Sequence, residues 1–492
     1  MSQITVSNLT FGYDGSFENV FENVSLCIDT DWKLGFVGRN GRGKTTFLNL
    51  LMGMYEYSGS ISGSVDFEYF PFEVKEAGQQ AFYVVSAVCP DCEEWEIYRE
   101  LSLLDIDGDM LFRPFNTLSN GEQTRALLAA MFLRKNCFLL IDEPTNHLDM
   151  DARLVLAGYL KKKKGFILVS HDRFFLDEII DHVLSINRWD IELQRGNYSQ
   201  WEKNRELQDS FELRENERLS KEISHFTEAA RRSSDWSDKT EKGKFSNNSS
   251  GLKVDRGYVG AKAAKMMKRA KAAERRNEKA AEEKRGLLKN VEKVGEIMLL
   301  PLNFPQRYLM TANSLSLSYG QRTLFRDLRF DLEKGDRIVL RGRNGSGKSS
   351  ILKILTGEEK GYEGELQRGS NLIISQVPQD TSFLRGSLVD FAGERGVDST
   401  LYRSMLRKLG LPRTQFEKDL SDFSGGQKKK ALLALSLCQE AHVYIWDEPL
   451  NYIDILSRRQ VEELVLKYKP TMVFVEHDRA FTEAVATKII EL

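Results

Sequence analysis

Short apolar runs closed by charge alternate along the chain with segments of spaced apolar positions, and the two patterns predict different elements. Cys137-Phe138-Leu139-Leu140-Ile141 ends in Asp142-Glu143-Pro144, and Val443-Tyr444-Ile445-Trp446 ends in Asp447-Glu448-Pro449. A continuous apolar run of this length, bounded by charge and proline, predicts a strand buried on both faces of a parallel sheet. Val169 and Val475 likewise close predicted strands just ahead of His171-Asp172 and His477-Asp478. Between 199 and 234 charged residues separate Leu207, Phe211, Leu213, Leu219, Ile223 and Phe226, and from 261 to 294 Ala, Lys, Glu and Arg dominate. Both stretches predict long helices. Turn and breaker residues from Ser237-Asp238-Lys239 through Ser249-Ser250-Gly251 to Gly257-Tyr258-Val259-Gly260 lie between them, which predicts an antiparallel helical hairpin with an extended tip at about 236–260.

The strands belong to a unit that is written twice. Gly38-Arg39-Asn40-Gly41-Arg42-Gly43-Lys44-Thr45 and Gly342-Arg343-Asn344-Gly345-Ser346-Gly347-Lys348-Ser349 both fit G-x-x-x-x-G-K-[ST]. In this motif Gly38, Gly41, Gly43, Gly342, Gly345 and Gly347 let backbone N–H groups close around phosphate oxygens. Lys44 and Lys348 reach the β/γ-phosphates, and the hydroxyls of Thr45 and Ser349 ligate Mg2+. Asn40, Thr46, Asn344 and Ser350 complete the candidate nucleotide contacts. From Lys44 the chain runs 75 residues to Ser119, 24 to Glu143 and 28 to His171; from Lys348 it runs 76 to Ser424, 24 to Glu448 and 29 to His477. The halves are offset by 304 to 306 residues throughout, the signature of a duplicated unit.

The two acids that close each apolar run suit different work. Asp142 and Asp447 are placed for the water shell of Mg2+, and Glu143 and Glu448 for polarising an attacking water. An acidic pair ending a core strand needs no chemistry when it stands alone. Here a phosphate loop precedes it, and Asn146-His147-Leu148-Asp149 or Asn451-Tyr452-Ile453-Asp454 follows.

Between loop and strand stand Leu118-Ser119-Asn120-Gly121-Glu122-Gln123 and Phe423-Ser424-Gly425-Gly426-Gln427. With these residues the chain resembles the ATP-binding-cassette superfamily. The resemblance implies that each Ser-x-Gly turn opens a helix facing the γ-phosphate held by the opposite cassette, as a helix N-terminus can. One site would then join Lys44, Thr45, Asp142 and Glu143 to Ser424, Gly425 and Gly426. The other would join Lys348, Ser349, Asp447 and Glu448 to Ser119 and Gly121. It further implies adenine stacking on Tyr13 and Tyr319, although each also reads as a core aromatic ending a strand. His171 and His477 resemble the histidine that contacts the γ-phosphate. Asn120 stands where glycine is usual, which we ascribe to the ease with which Asn enters left-handed backbone space. Phe423 replaces a usual leucine. Phe72 occupies the place of a Mg2+-facing glutamine that Gln379 retains, so the first site is expected to hold metal and water less firmly unless Gln79 or Gln80 substitutes, and the two sites to turn over at different rates.

At 492 residues the chain has room for two or three domains. No apolar run approaches the eighteen or so residues of a membrane helix and no signal-peptide pattern opens the sequence, which predicts a soluble, cytoplasmic protein. Cys89-Pro90-Asp91-Cys92 has no second pair or nearby histidine to complete a zinc site. Net charge is -2, yet residues 231–271 carry twelve Lys+Arg against four Asp+Glu. Lys244, Lys253, Tyr258, Lys262, Lys265, Lys268 and Arg269 are therefore candidate RNA contacts, where the alternative is a solvated hairpin kept soluble by its lysines.

Two cassettes around a charged helical linker, with Glu143 through Asp149 and Gly196-Asn197-Tyr198-Ser199, resemble the ABC-F proteins. The fold expected is α/β, with two tandem cassettes (P-loop NTPase domains) at 1–197 and 306–492 joined by a long α-helical hairpin linker at 198–305. Gly38 to Lys44, Leu160 to Asp172, Gly260 to Arg269 and Tyr444 to Tyr452 resemble the Lsa-type antibiotic-resistance branch. That likeness implies an ATP- and Mg2+-dependent protein that is monomeric, with its cassettes paired intramolecularly. It would enter the ribosomal exit-tRNA site and reach toward P-site tRNA and the 23S rRNA of the peptidyl-transfer centre. It would protect that centre from lincosamides, pleuromutilins and streptogramin A, with no membrane or DNA partner. A housekeeping ABC-F translation factor and the ATPase of a membrane transporter are the alternatives. The 75 residues between Lys44 and Ser119 leave no room for the arm insertion of the housekeeping members.

Overall fold

The computed structural model describes residues 2–15, 19–146, 148–187, 191–243, 297–320 and 322–492, with isolated helical positions at 268, 272, 275, 276 and 279. His147, the second expected helix apart from those positions, and the candidate RNA residues other than Lys268 lie outside the described residues. By packing, residues 1–201 and 295–492 form one unit and 202–294 another.

The first half begins with β1 (Gln3–Phe11), β2 (Phe21–Asp29) and β3 (Lys33–Val37), followed by α1 (Lys44–Leu51), β4 (Ser58–Ser62) and β5 (Asp66–Phe70). A helical region follows, with α2 (Ala81–Val88), α3 (Glu94–Leu103) and α4 (Asn120–Met131). The half ends with β6 (Cys137–Asp142), α5 (Met150–Leu160), β7 (Phe166–Val169), α6 (Arg173–Ile179), β8 (His182–Ile186) and β9 (Ile191–Arg195). Six strands form one sheet in the order β5-β6-β7-β3-β8-β9, parallel except for β9. The apolar run of β6 is buried on both faces: Leu139 and Ile141 join the core under the helical region, Phe138 and Leu140 the core under β1 and β2. This is the two-sided burial that a parallel strand requires.

Asn197 accepts the N–H of Gln200 through Oδ1 and so opens α7 (Tyr198–Gly243). The helix runs nine residues beyond the expected end at 234 because no glycine or proline interrupts it before Gly243. The tip expected from 236 therefore starts helical.

The second half holds β10 (Leu300–Pro301), β11 (Tyr308–Tyr319), β12 (Arg322–Glu333), β13 (Arg337–Arg341), α8 (Lys348–Thr356), β14 (Glu363–Arg368) and β15 (Ile374–Val377). Helices α9 (Leu388–Gly393), α10 (Ser399–Lys408) and α11 (Gly425–Cys438) follow. It closes with β16 (Glu440–Ala441), β17 (Val443–Asp447), α12 (Ile455–Tyr468), β18 (Met472–Val475), α13 (Arg479–Val485) and β19 (Lys488–Glu491). Its parallel sheet has the order β15-β17-β18-β13-β19. Ile297 and Leu299 are buried in the second core and β10 pairs with β16, so this half begins to pack ahead of the expected boundary at 306. Apolar side chains just before the boundary have nowhere else to hide from water.

In both sheets the acids and loops emerge at the carboxyl ends of the strands, where open parallel sheets form their crevices.

Candidate nucleotide sites

Each phosphate loop connects a central strand to a helix that begins at its lysine. Gly43 and Gly347 precede those helices with φ of 96° and 98°. A Cβ on Gly43 would sit 2.7 Å from Val20, so both backbone and space require glycine there. Lys44 donates to the Gly38 and Arg39 carbonyls at 2.6 and 3.3 Å, and Lys348 to those of Gly342 and Arg343 at 2.7 and 2.9 Å. Both ammonium groups are thereby held inside their loops. Burial lowers the affinity of each for its proton against the pull of nearby carboxylates.

Glu143 and Glu448 are left-handed, with φ of 51° and 48°, yet their N–H groups still bond Val169 and Val475, each at 2.9 Å. Unfavourable backbone held in place by a strand neighbour marks a functional turn. His171 and His477 place Nε2 3.4 Å from Oε1 of Glu143 and Glu448 respectively. Thr45 donates to Asp142 at 3.1 Å, and Ser349 bonds Asp447. Buried oxygens at Glu143 Oε1 and Asp447 Oδ1 have no hydrogen-bond donor within the protein. Acceptors left open beside a hydroxyl and a cradle of N–H groups are what a nucleotide-bound Mg2+ with its waters would satisfy.

The surroundings of the two acids differ. Burial and then the charge of Asp142 push the Glu143 carboxyl up to about 8, against the pull of Arg458 and Lys44. Burial acts in the same direction at Glu448, but His477, Lys429 and the Gln379 amide outweigh it and hold that carboxyl below its usual range. Gln379 donates to Glu448 at 3.2 Å and Asn451 at 2.7 Å. Phe72 packs against the first core instead, and neither Gln79 nor Gln80 lines the first site, so neither replaces the missing amide. Tyr69, absent from the sequence-based candidates, donates its hydroxyl to Asp142 Oδ2 at 3.0 Å. Its position in β5 corresponds to Gln376 of β15, since both strands pair in the same register with the acid-bearing strand. Only the alternation of facing positions along β5 could have pointed to it.

The helices opened by Ser119 and Ser424 carry reciprocal capping boxes with Glu122 and Gln427. Asn120 corrects an expectation: it is the first residue of α4 with no positive φ, and a Cβ at the matching Gly425 meets nothing within 4 Å. The protein leaves room for a Cβ there, and left-handed freedom is not the reason for Asn. Gly121 and Gly426 are the constrained positions, where a Cβ would lie 3.2 Å from Leu148 and 2.9 Å from Tyr452.

The four parts of each half meet across the molecule. A cavity of about 1030 Å³ is walled by Lys44, Thr45, Asp142, Glu143 and His171 on one side and by Ser424, Gly425, Gly426 and Lys430 on the other. A second, of about 770 Å³, joins Lys348, Ser349, Glu448 and His477 to Ser119, Gly121 and Arg125. Asn40 seals the first by donating to the Tyr452 carbonyl at 2.9 Å. Tyr13 and Tyr319 are not among the residues walling either cavity. Tyr13 is half exposed and bonds Thr46 at 2.7 Å, whereas Tyr319 bonds Glu359 at 2.8 Å.

The family described as ABC transporter matches this chain twice, over residues 21–146 and 325–451, together more than half its length. The chain belongs to the ABC transporter family. The two halves are its cassettes, and the protein is an ATP hydrolase of the ABC type. Domains of this family bind ATP with Mg2+, which the open acceptors and N–H cradles suit. The ribosome protection protein VmlR of Bacillus subtilis is 28% identical over 485 residues, covering 98% of this chain and 85% of that protein. The energy-dependent translational throttle protein EttA of Haemophilus influenzae is 25% identical over 534 residues, covering 96% and 89%. Tandem cassettes and likeness along nearly the whole chain group the protein with the ABC-F proteins. The archaeal ribosome recycling factor aABCE1, solved with the stalk protein aP1, superposes with a TM-score of 0.65 at 19% identity over 98% of this chain and 87% of that one, a likeness of fold. No helix among the described residues is long and apolar enough to cross a membrane.

Proposed function

We propose that this ABC-F ATPase is a cytoplasmic ribosome-binding factor that enters the exit-tRNA site. There it reaches toward P-site tRNA and the 23S rRNA, and protects the peptidyl-transfer centre from lincosamide, pleuromutilin and streptogramin A antibiotics. The observation that carries the reading is full-length likeness to a ribosome protection protein, joined to two composite sites that are complete only when the cassettes face one another. Lys44 and Lys348 take the β/γ-phosphates, Asp142 and Asp447 order the metal's waters with Thr45 and Ser349, and Ser119 and Ser424 offer helix N-termini to the γ-phosphate of the opposite cassette. Glu143 and Glu448 orient and deprotonate water, with His171 and His477 beside them. Mg2+ held by Thr45 and Asp142, or by Ser349 and Asp447, and their waters would supply charge neutralisation to the phosphates. Tyr13 and Tyr319 stack on adenine from outside the cavities, and Gln379 acts only at the second site. The expected domains are 1–197, 198–305 and 306–492, with packing that extends the second cassette back to Ile297.

The test is the Glu143→Gln/Glu448→Gln variant, which keeps phosphate binding and loses water activation. It is expected to co-sediment with ribosomes in ATP, and expression of the unaltered chain to raise tolerance to the three drug classes. Absence of co-sedimentation overturns the reading, as membrane association with a permease would. Likeness to the translational throttle protein favours a second reading, a housekeeping translation factor; ribosome trapping with no change in drug tolerance would select it.

A further inference from the structure

Where the cassettes meet, Arg153 and Asp172 of the first lie beside Arg458 and Asp478 of the second, all four side chains buried. The charge of Asp478 acts on Asp172 across the interface. Each arginine sits on the helix after its acid-bearing strand, β6 or β17, donates through Nε to the carbonyl of Leu148 or Ile453, and pairs with the aspartate that follows its own histidine, at 2.9 and 3.1 Å. To this point the halves match. The difference is one bond: Arg153 Nη1 also donates across the interface to the His477 carbonyl at 3.2 Å. Among the described residues, no matching bond joins Arg458 to the carbonyl of His171.

His477 is also held from its other side. Its N–H donates to Glu476 Oε1 at 2.9 Å, and Glu476 Oε2 accepts from Leu450 N at 3.2 Å. In the first cassette the corresponding residue is Ser170, too short to span both groups. The backbone of His477 is therefore clamped at both its N–H and its C=O, and one of the two clamps belongs to the other cassette. A guanidinium supports this because its planar fork can hold a carboxylate and a carbonyl at once in fixed directions.

We infer that Arg153, a residue of the first cassette, is a positioning residue for hydrolysis at the second site, aligning His477 beside Glu448 in response to Asp172, the neighbour of His171. It makes coupling between the sites directional, with the second site reading the first. The inference rests on Glu143 and Glu448 being the water-activating acids.

Arg153→Lys is the discriminating variant. The shorter ammonium stays with the charge of Asp172 and gives up the two neutral carbonyls, of Leu148 and His477, so the buried carboxylate remains paired. The mirror Arg458→Lys, which gives up only the Ile453 carbonyl, controls for the Nε bond. With the full chain carrying Glu143→Gln, which leaves only the second site active, Arg153→Lys is expected to lower kcat by about tenfold with KM for ATP little changed, less than the roughly hundredfold that misplacement by a full ångström can cost. With Glu448→Gln, which leaves only the first site, Arg153→Lys and the mirror Arg458→Lys are both expected to leave kcat within about twofold. The thermal unfolding temperature should fall by only a few degrees in either variant. Unchanged turnover at the second site overturns the inference, as does an equal loss at both sites, which marks Arg153 as general interface packing. If single Glu→Gln variants fail to silence one site each, the assignment of the acids has failed instead. Cooperativity of ATP binding to the otherwise unaltered chain then decides: its loss in Arg153→Lys supports the coupling and its retention refutes it.

Discussion

At the scale of single residues, the two sites share a motif and differ in what surrounds it. Glu448 receives donors from Gln379 and Asn451 and lies near Lys429, whereas the position matching Lys429 in the first cassette is Thr124 and the position matching Gln379 is Phe72. The loss at Phe72 is visible in the sequence because it falls at a fixed distance from a motif. The part of Tyr69 is not, since its hydroxyl reaches Asp142 only when β5 lies against β6 in the observed register. Tyr69 and Thr45 both donate to Oδ2 and leave Oδ1 of Asp142 free to face the metal's waters. Removing a hydrogen bond that orients a metal-facing carboxylate generally costs tenfold or more in metal affinity. Tyr69→Phe in the Glu448→Gln background is therefore expected to weaken Mn2+ retention in the presence of ATP by about tenfold, read by electron paramagnetic resonance. The Glu143→Gln background keeps Thr45 and Asp142, so the same loss is expected there.

At the scale of elements, the helices α4 and α11 show how a motif divides into required and permissive positions. Their capping boxes follow from Ser119 with Glu122 and Ser424 with Gln427, a spacing legible in the sequence. Which glycine matters is a question of neighbours. Gly425→Ala adds a methyl that meets no protein atom at the first turn of a helix and is expected to preserve the melting temperature, measured by calorimetry. Gly426→Ala drives a methyl to 2.9 Å from Tyr452 Cβ, on the residue whose carbonyl anchors Asn40. Overpacking of this kind costs roughly 1–3 kcal/mol. That variant should lose both melting temperature and first-site turnover in the Glu448→Gln background, measured by calorimetry and phosphate release. Strands were easier to read than helix ends: β6 and β17 follow from their apolar runs, while α7 continues past Ser237-Asp238-Lys239 because such residues only weaken a helix that nothing terminates before Gly243.

At the scale of the whole molecule, the arrangement that matters is the facing of two cassettes, with the basic segment carried between them in the chain. Reversing Lys262, Lys265 and Lys268 to Glu is expected to weaken ribosome co-sedimentation of the Glu143→Gln/Glu448→Gln variant and to flatten its dependence on salt, because fewer phosphate contacts release fewer counterions. Undiminished binding across a salt titration would remove that segment from the interface. Much was already written in the order of residues: the duplicated phosphate loops, the acids at the ends of buried strands and the caps of the helices that face them. Each of these is local, fixed by a few neighbouring residues and the periodicity of one strand or helix. The pairing of Lys44 with Ser424, the reach of Tyr69 to Asp142, the entry of Lys430 into the first cavity and the bond from Arg153 to His477 depend on distances between residues tens to hundreds of positions apart. Chain spacing does not encode such distances; they arise when two sheets and their helices bury their apolar faces and bring their loop edges together.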